Sequence, residues 1–181
     1  MPSDRVRLSV AEARQHAELA MRGIGYHTEE AYILVDHAID AALCGYEYSG
    51  LAKLLNIPEH RRFKQPRRPM RILRETGVSI LYDGGNNVGM LTMYRAAKAA
   101  IAKAAVHGIA LVAVNNTWMS GRSAYYVEMI ANADLIGIHT AGSAGAVAPP
   151  GGTRPAGRHT PRPRYKSDCL RPAFVSRTPR L

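Results

Sequence analysis

The fold is decided by a stretch in which a helix ends and a strand begins, His107-Gly108-Ile109-Ala110-Leu111-Val112-Ala113-Val114. Gly108 predicts the end of an Ala-rich helix from Gly89 to His107, because glycine readily adopts the left-handed backbone conformation that closes helices. The six residues after Gly108 form a near-continuous apolar run, which is typical of a strand buried on both faces. A long helix that passes directly into a buried strand indicates an α/β layer.

Further strands, loops and a helix are expected on either side of this stretch. In chain order they are two short strands, a loop, a second polar loop, a helix and another buried strand, at residues 70–75, 78–82, 83–87, 115–121, 122–133 and 135–140. The sequence therefore predicts a mixed α/β layer over residues 58–153, and ligands are expected at the carboxyl ends of its strands.

The first 57 residues have the pattern of a helical N-terminal segment. Ser9 and Glu12 form a capping box, so a helix is expected to begin at Val10 and to end near Gly23. Thr28 is the expected cap of a second helix, which stops at Gly45. A short helical turn is expected over residues 51–57.

The basic charge of the chain is concentrated outside these elements. Residues 154–181 hold seven arginines and Lys166 against the single acid Asp168, so they carry +7 of the net charge of +10. By composition they form a disordered tail, and out-of-frame sequence is the alternative, which the DNA around codon 156 would distinguish. Nucleic-acid binding is not expected, because the other basic cluster lacks an aromatic platform beyond Phe63 and consists of Arg61, Arg62, Lys64, Arg67 and Arg68.

Several other classes of protein are disfavoured by the sequence. Residues 1–10 are polar and lack the apolar core of a signal peptide, and no segment approaches the roughly 18 apolar residues of a membrane span. Cys44 and Cys169 lie far apart in unlike contexts, so neither a disulfide framework nor a metal site is expected. We therefore expect a cytoplasmic protein.

Six further stretches have a recognisable order and spacing, although no G-x-G-x-x-G or Walker A motif is present. They are Gly45-x-x-x-x-Gly50-Leu51-Ala52-Lys53-Leu54, Asp83-Gly84-Gly85-Asn86-Asn87-Val88-Gly89, His107 to Val114, Asn116-Thr117-x-x-x-Gly121 with Tyr125-Tyr126, Ala133-x-Leu135-Ile136-Gly137-Ile138 and Ala148-Pro149-Pro150-Gly151-Gly152. Over about 150 residues, these stretches together resemble the type 2 malate/L-lactate dehydrogenase family.

The resemblance implies a malate/L-lactate dehydrogenase-like fold that is not of the Rossmann type. It also implies a homodimer and hydride transfer between NAD or NADP and a 2-oxo or 2-hydroxy acid. The stretches correspond to the front half of the family only, so the fold is expected to be incomplete and the chain truncated. Apolar surface of its buried strands would then lie bare, and we expect limited solubility or reliance on dimerisation.

The expected catalytic residues depart from the family pattern. The first motif usually reads Gly-His-Asp-Ser-His-Gly-Val-x-Arg, and here Tyr48 replaces the orienting Ser, Ser49 the proton-handling His and Lys53 the carboxylate-binding Arg. The second motif usually reads Asn-Ser-x-His-Phe-Gly, and its His is replaced by a methionine, which cannot transfer a proton. The resemblance places cofactor contacts at Met119, Ser120, Gly121 and Ser143.

These replacements allow two interpretations. In the first, the chemistry is rebuilt: Tyr48 donates a proton, Lys53 holds a carboxylate, and His139 is a candidate replacement base. In the second, the chain is an inactive remnant that only dimerises or binds a partner. Asp83 and Asn86 are expected to shape a turn rather than to contact substrate.

Overall fold

The computed structural model describes residues 7–142, and within them the chain forms a mixed α/β fold. Helices α1, α2 and α3 come first, with a 3-10 turn at Glu47–Ser49 between α2 and α3. Strands β1 and β2, helix α4, strand β3 and helix α5 follow. The bounds are α1 Val10–Gly23, α2 Thr28–Leu43, α3 Ala52–Glu59, β1 Arg71–Glu75, β2 Ser79–Asp83, α4 Gly89–His107, β3 Leu111–Asn115 and α5 Ser123–Ala131.

Local sequence signals explain where the helices begin and end. The capping box of α1 is confirmed: the Glu12 N–H donates to Ser9 Oγ, and the Ser9 N–H donates to Glu12 Oε2. Gly108 closes α4 in the left-handed conformation, as predicted, with φ 75°. The predicted cap of α2 is wrong by one residue, because His27 occupies the cap and Thr28 is already helical.

The three strands form one sheet in the order β1-β2-β3. Strands β1 and β2 pair antiparallel, whereas β2 and β3 pair parallel, with Asp83 opposite Asn115 at their carboxyl ends. The loops that follow β2 and β3 therefore lie side by side. An isolated bridge between Val88 and Trp118 continues this contact beyond the strands.

One apolar core joins the helical segment to the α/β layer. It is built around helix α2, from which Leu34, Val35 and Ala38 are wholly buried. Ile57 of α3 and Met90 at the start of α4 pack into the same cluster. The core thus extends across residue 57, where the sequence divides the helical segment from the α/β portion.

The prediction that residues 109–114 are buried on both faces is wrong. Leu111 is 71% exposed and Ile109 is 67% exposed, because the elements that contact β3 within residues 7–142 leave one face of the strand uncovered. Helix α4 packs on one face of this strand. The exposed side chains agree with the expectation that apolar surface lies bare.

The strand predicted over residues 135–140 is also not formed. A strand requires a backbone ladder with a neighbour, and this segment has no such ladder in the part of the chain that the structure describes. It lies instead beside α5, where a Cβ added to Gly137 would come 3.0 Å from Ile130 Cβ. Together with α4 and β3, the segment lines a groove of about 410 Å³.

Three predictions fall on residues that lie outside the described part. These are the cofactor contact at Ser143, the last of the six family-like stretches at residues 148–152, and the basic tail at residues 154–181. Among the helices of residues 7–142, none combines the length and the apolar character that a membrane span requires.

Candidate functional site

The predicted catalytic residues lie where the 3-10 turn meets α3, against the end of α2. Gly50 approaches α2 closely, and a Cβ at this position would lie 3.3 Å from Ala42 Cβ. Ser49 is buried, whereas the Tyr48 side chain is 73% exposed. Lys53 projects its Nζ to 4.2 Å from the centre of the Tyr48 ring.

The contact between Lys53 and Tyr48 joins a cation to the face of an aromatic ring, which is an attractive geometry. Lys53 is only 9% exposed, because its aliphatic stem lies in the protein and its ammonium lies next to the ring. Tyr48 is the one of the three predicted residues that solvent reaches readily. An exposed phenol beside a cation can donate a proton next to a bound anion.

The predicted cofactor loop, residues 116–121, is fastened to the amino end of α4. The N–H groups of Gly89 and Met90 donate to the carbonyls of Trp118 and Met119. Met119 is left-handed, with φ 57°, a conformation that non-glycine residues rarely adopt outside functional or tightly constrained sites. The loop is therefore held in a fixed conformation by the backbone of the neighbouring helix.

The three predicted cofactor residues of this loop differ in what they can offer a ligand. The Met119 side chain packs against the core, so it is not free to contact a cofactor without moving. The Ser120 carbonyl accepts from Tyr126 Oη, while its own hydroxyl makes no hydrogen bond within residues 7–142. Gly121 presents only backbone. The groups of this loop that are free to contact a ligand are therefore the Ser120 hydroxyl and the backbone, rather than the Met119 side chain.

His37 lies directly beneath the cofactor loop, and the sequence reasoning did not find it. Its Nε2 accepts a hydrogen bond of 2.8 Å from the Arg122 N–H. A Cβ on Gly121 would lie 2.2 Å from the same nitrogen. Burial, and then the charge of Arg122, lowers the pKa of His37 to about 4, so the imidazole is neutral at pH 7.

Ion pairs hold α2 and α5 together around His37. The Arg122 side chain binds Asp40 at 2.6 Å and Glu128 at 2.7 Å, and the Glu128 hydrogen bond is the main cause that raises the pKa of Arg122. Tyr125 Oη donates to Asp36 at 2.8 Å. Helix α2 thus contacts the Gly50 turn through Ala42 and the cofactor loop through His37. These two contact residues are five positions apart, which is about 7.5 Å along the helix axis.

Asp83 and Asn86 shape the turn after β2, as predicted. Asp83 Oδ1 accepts from the Gly85 N–H and from Asn116 Nδ2, and the first of these bonds is the main cause that lowers the pKa of Asp83. Asn86 Nδ2 donates to the carbonyl of Arg62 at 3.0 Å. Asn86 Oδ1 is buried and has no hydrogen-bond partner among the described residues.

His139 and Trp118 are placed away from the Tyr48–Lys53 pair. His139 lies against Tyr126, with 5.2 Å between ring centres, and burial lowers its pKa. No hydrogen bond or ring contact within residues 7–142 joins it to Tyr48. Trp118 stacks on His60 at 4.3 Å, so its ring contacts the protein on at least one face.

Comparison with known proteins identifies the family that this chain resembles in sequence. The family model described as malate/L-lactate dehydrogenase matches residues 8–161. Hydroxycarboxylate dehydrogenase B of Escherichia coli O157:H7 is 32% identical over 127 residues, which are 67% of this chain and 34% of that protein. Malate dehydrogenase of Pyrococcus abyssi (strain GE5 / Orsay) is 33% identical over 156 residues, which are 81% of this chain and 41% of that protein.

The fold agrees with this match. The crystal structure of malate dehydrogenase from Entamoeba histolytica superposes with a TM-score of 0.65 at 26% identity, covering 71% of this chain and 36% of that one. The chain spans between 34% and 41% of the length of the two curated relatives above. Because the family match extends over most of its residues, the chain belongs to the malate/L-lactate dehydrogenase family.

Proposed function

We propose that the protein acts in hydride transfer between NAD or NADP and a 2-oxo or 2-hydroxy acid. Membership of the malate/L-lactate dehydrogenase family supports the reaction class. The observation that carries the proposal for this chain is the contact of 4.2 Å between Lys53 Nζ and the Tyr48 ring. A cation and a proton donor lie together at the position where the family has its first active-site motif.

Each residue of the pair has a separate role in this proposal. Lys53 binds the substrate carboxylate, and the Tyr48 hydroxyl donates its proton to the oxygen of the 2-oxo group. A bound reduced nicotinamide would supply the hydride to the carbon of that group. The cofactor contacts proposed for this chain are the Ser120 hydroxyl, the backbone of Met119 and Gly121, and Ser143. We also propose a homodimer that works in the cytoplasm.

The test is oxidation of NADH and NADPH by the purified full chain against a panel of 2-oxo acids. Replacing Tyr48 with phenylalanine is expected to lower kcat by about 10²-fold or more, because the proton donor is lost. Lys53→Met is expected to raise the KM of the acid by about tenfold or more, because the carboxylate loses its cation.

Lys98→Met is the matched control, since Lys98 Nζ also lies over a tyrosine ring, 5.7 Å from the centre of Tyr94, but outside the site. It should leave both constants within about twofold. A Lys98 variant as impaired as the Lys53 variant would contradict the assignment of Lys53.

A second candidate is a non-catalytic protein that dimerises or binds a partner. It is favoured by Met119, which stands where the family often has an acid–base histidine, and by the exposed apolar side chains of Ile109 and Leu111. The two candidates are separated by calorimetry with NADH and NADPH. Absence of cofactor binding together with absence of turnover would reject the enzyme.

A further inference from the structure

Three consecutive carbonyls of the cofactor loop are held by donors from the neighbouring helices. Those of Trp118 and Met119 accept from the first two N–H groups of α4, and that of Ser120 accepts from Tyr126 Oη of α5. The first two bonds join main chain to main chain, so they do not require a particular side chain. The third is made by a side chain, and the orientation of Ser120 therefore depends on one hydroxyl group.

The Tyr126 hydroxyl is held in one place by a packed ring. The side chain is only 1% exposed, and its ring centre lies 5.5 Å from that of His37 and 5.2 Å from that of His139. Within residues 7–142 its hydroxyl bonds only to the Ser120 carbonyl. Burial, and then the nearby Tyr125, raises the pKa of Tyr126 well above its ordinary value, so the hydroxyl keeps its proton and stays a donor.

This bond sets the direction of the next backbone donor. The C=O and N–H groups of a trans peptide point in opposite directions, and the described chain contains no cis peptide. Because the Ser120 carbonyl turns towards the buried Tyr126 hydroxyl, the Gly121 N–H points away from it. The Gly121 N–H makes no hydrogen bond within residues 7–142, and both Ser120 and Gly121 are partly exposed. A ligand can therefore reach this part of the backbone.

We infer that Tyr126 is a positioning residue of the proposed cofactor site, which holds the Ser120 hydroxyl and the Gly121 N–H in the orientation that binds the nicotinamide cofactor. This inference rests on the proposed function. Tyr126 is buried and acts through the peptide between Ser120 and Gly121 rather than by touching the ligand. Gly121 adopts a wide range of backbone angles, so this peptide can rotate once the hydroxyl is removed.

Tyr126→Phe tests the inference, because it removes the hydroxyl and keeps the packed ring. The Ser120 carbonyl is then left without a donor, which favours rotation of the peptide towards solvent. Calorimetry with the full chain measures the Kd of NADH and NADPH, which is expected to rise about tenfold. The KM of the 2-oxo acid should stay within about twofold, because Tyr48 and Lys53 are not disturbed.

Tyr125→Phe is the matched control. It removes the hydroxyl of the neighbouring buried tyrosine, whose hydrogen bond goes to Asp36 of α2 and not to the cofactor loop. This variant should leave the Kd of both cofactors within about twofold. Each variant loses one hydrogen bond, so a general loss of stability would affect the two alike.

A second measurement needs no cofactor. The Arg122 N–H, which follows Gly121, donates to the buried His37, so its hydrogen exchange reports on opening of this end of the loop. Exchange measured by NMR is expected to be about tenfold faster in Tyr126→Phe than in the original chain. In Tyr125→Phe it should change by about twofold at most.

Equal effects of the two variants on the Kd or on the exchange rate would overturn the inference, and so would a Tyr126 variant that behaves like the original chain. If the original chain binds neither NADH nor NADPH, the proposed function fails. The exchange rates of the Arg122 amide would still decide whether Tyr126 positions the loop.

Discussion

Replacing Gly121 with alanine is expected to lower the free energy of unfolding by about 2–5 kcal/mol, a large effect for a single substitution. Gly121 has φ 72°, which costs an alanine roughly 1–2 kcal/mol. The new Cβ would also lie 2.2 Å from His37 Nε2, so the imidazole must move. Loss of its hydrogen bond from the Arg122 N–H adds about 1–3 kcal/mol, because the donor is left without a partner.

His37 has little freedom to escape the added methyl group. The residue is wholly buried, and its ring centre lies 4.7 Å from that of Tyr125 and 5.5 Å from that of Tyr126. Displacement of the ring therefore disturbs the contact between α2 and α5 as well. The emission of Trp118, three residues before Gly121, should change in the same variant.

Gly108→Ala is the matched control, because Gly108 has φ 75° and nothing within 4 Å of an added Cβ. Its expected cost is about 1–2 kcal/mol, from the backbone conformation alone. Urea denaturation followed by circular dichroism measures both variants, with similar m values as the check that the unfolding reaction is unchanged. Equal costs at the two positions would show that His37 does not restrict Gly121.

The helices could be predicted because their signals are local. Ser9 and Glu12 lie within one turn of each other, and Gly108 acts on its own backbone. The burial of β3 could not be predicted in the same way. The apolar run correctly identified a strand, but exposure depends on which elements cover it, and Leu111 stays 71% exposed within residues 7–142.

The candidate site also combines a contact that local sequence predicts with one that depends on distant parts of the chain. Tyr48 and Lys53 are five residues apart across a single turn, so their contact follows from local structure once the first motif is recognised. The hydrogen bond that joins His37 to Arg122 spans 85 residues. His37 also lies three residues after Leu34, at the spacing of the apolar face of α2, where a histidine has no local feature that distinguishes a structural role from a ligand-binding one.

A loss of stability under acid conditions is expected from His37. Its pKa is about 4 in the folded protein against an ordinary value of 6.5, so the unfolded chain binds the extra proton more readily. The neutral His37 imidazole contributes its full stabilisation above pH 6.5, and this contribution is lost as the pH falls from 6.5 towards 4. Between pH 7 and pH 5, His37 should therefore remove about 2 kcal/mol from the free energy of unfolding.

His37→Gln isolates this contribution, because a glutamine oxygen can still accept from the Arg122 N–H but does not titrate. At pH 7 the variant should be less stable than the original chain, since the ring contacts with Tyr125 and Tyr126 are lost. The difference should shrink by about 2 kcal/mol at pH 5, where the original chain alone is penalised by protonation.

Urea unfolding curves of both proteins at pH 7, 6 and 5 measure this change. A His37 variant that keeps a constant difference from the original chain over this range would mean that His37 gains its proton equally in the folded and unfolded states. The imidazole would then not be the neutral acceptor that holds the cofactor loop against α2.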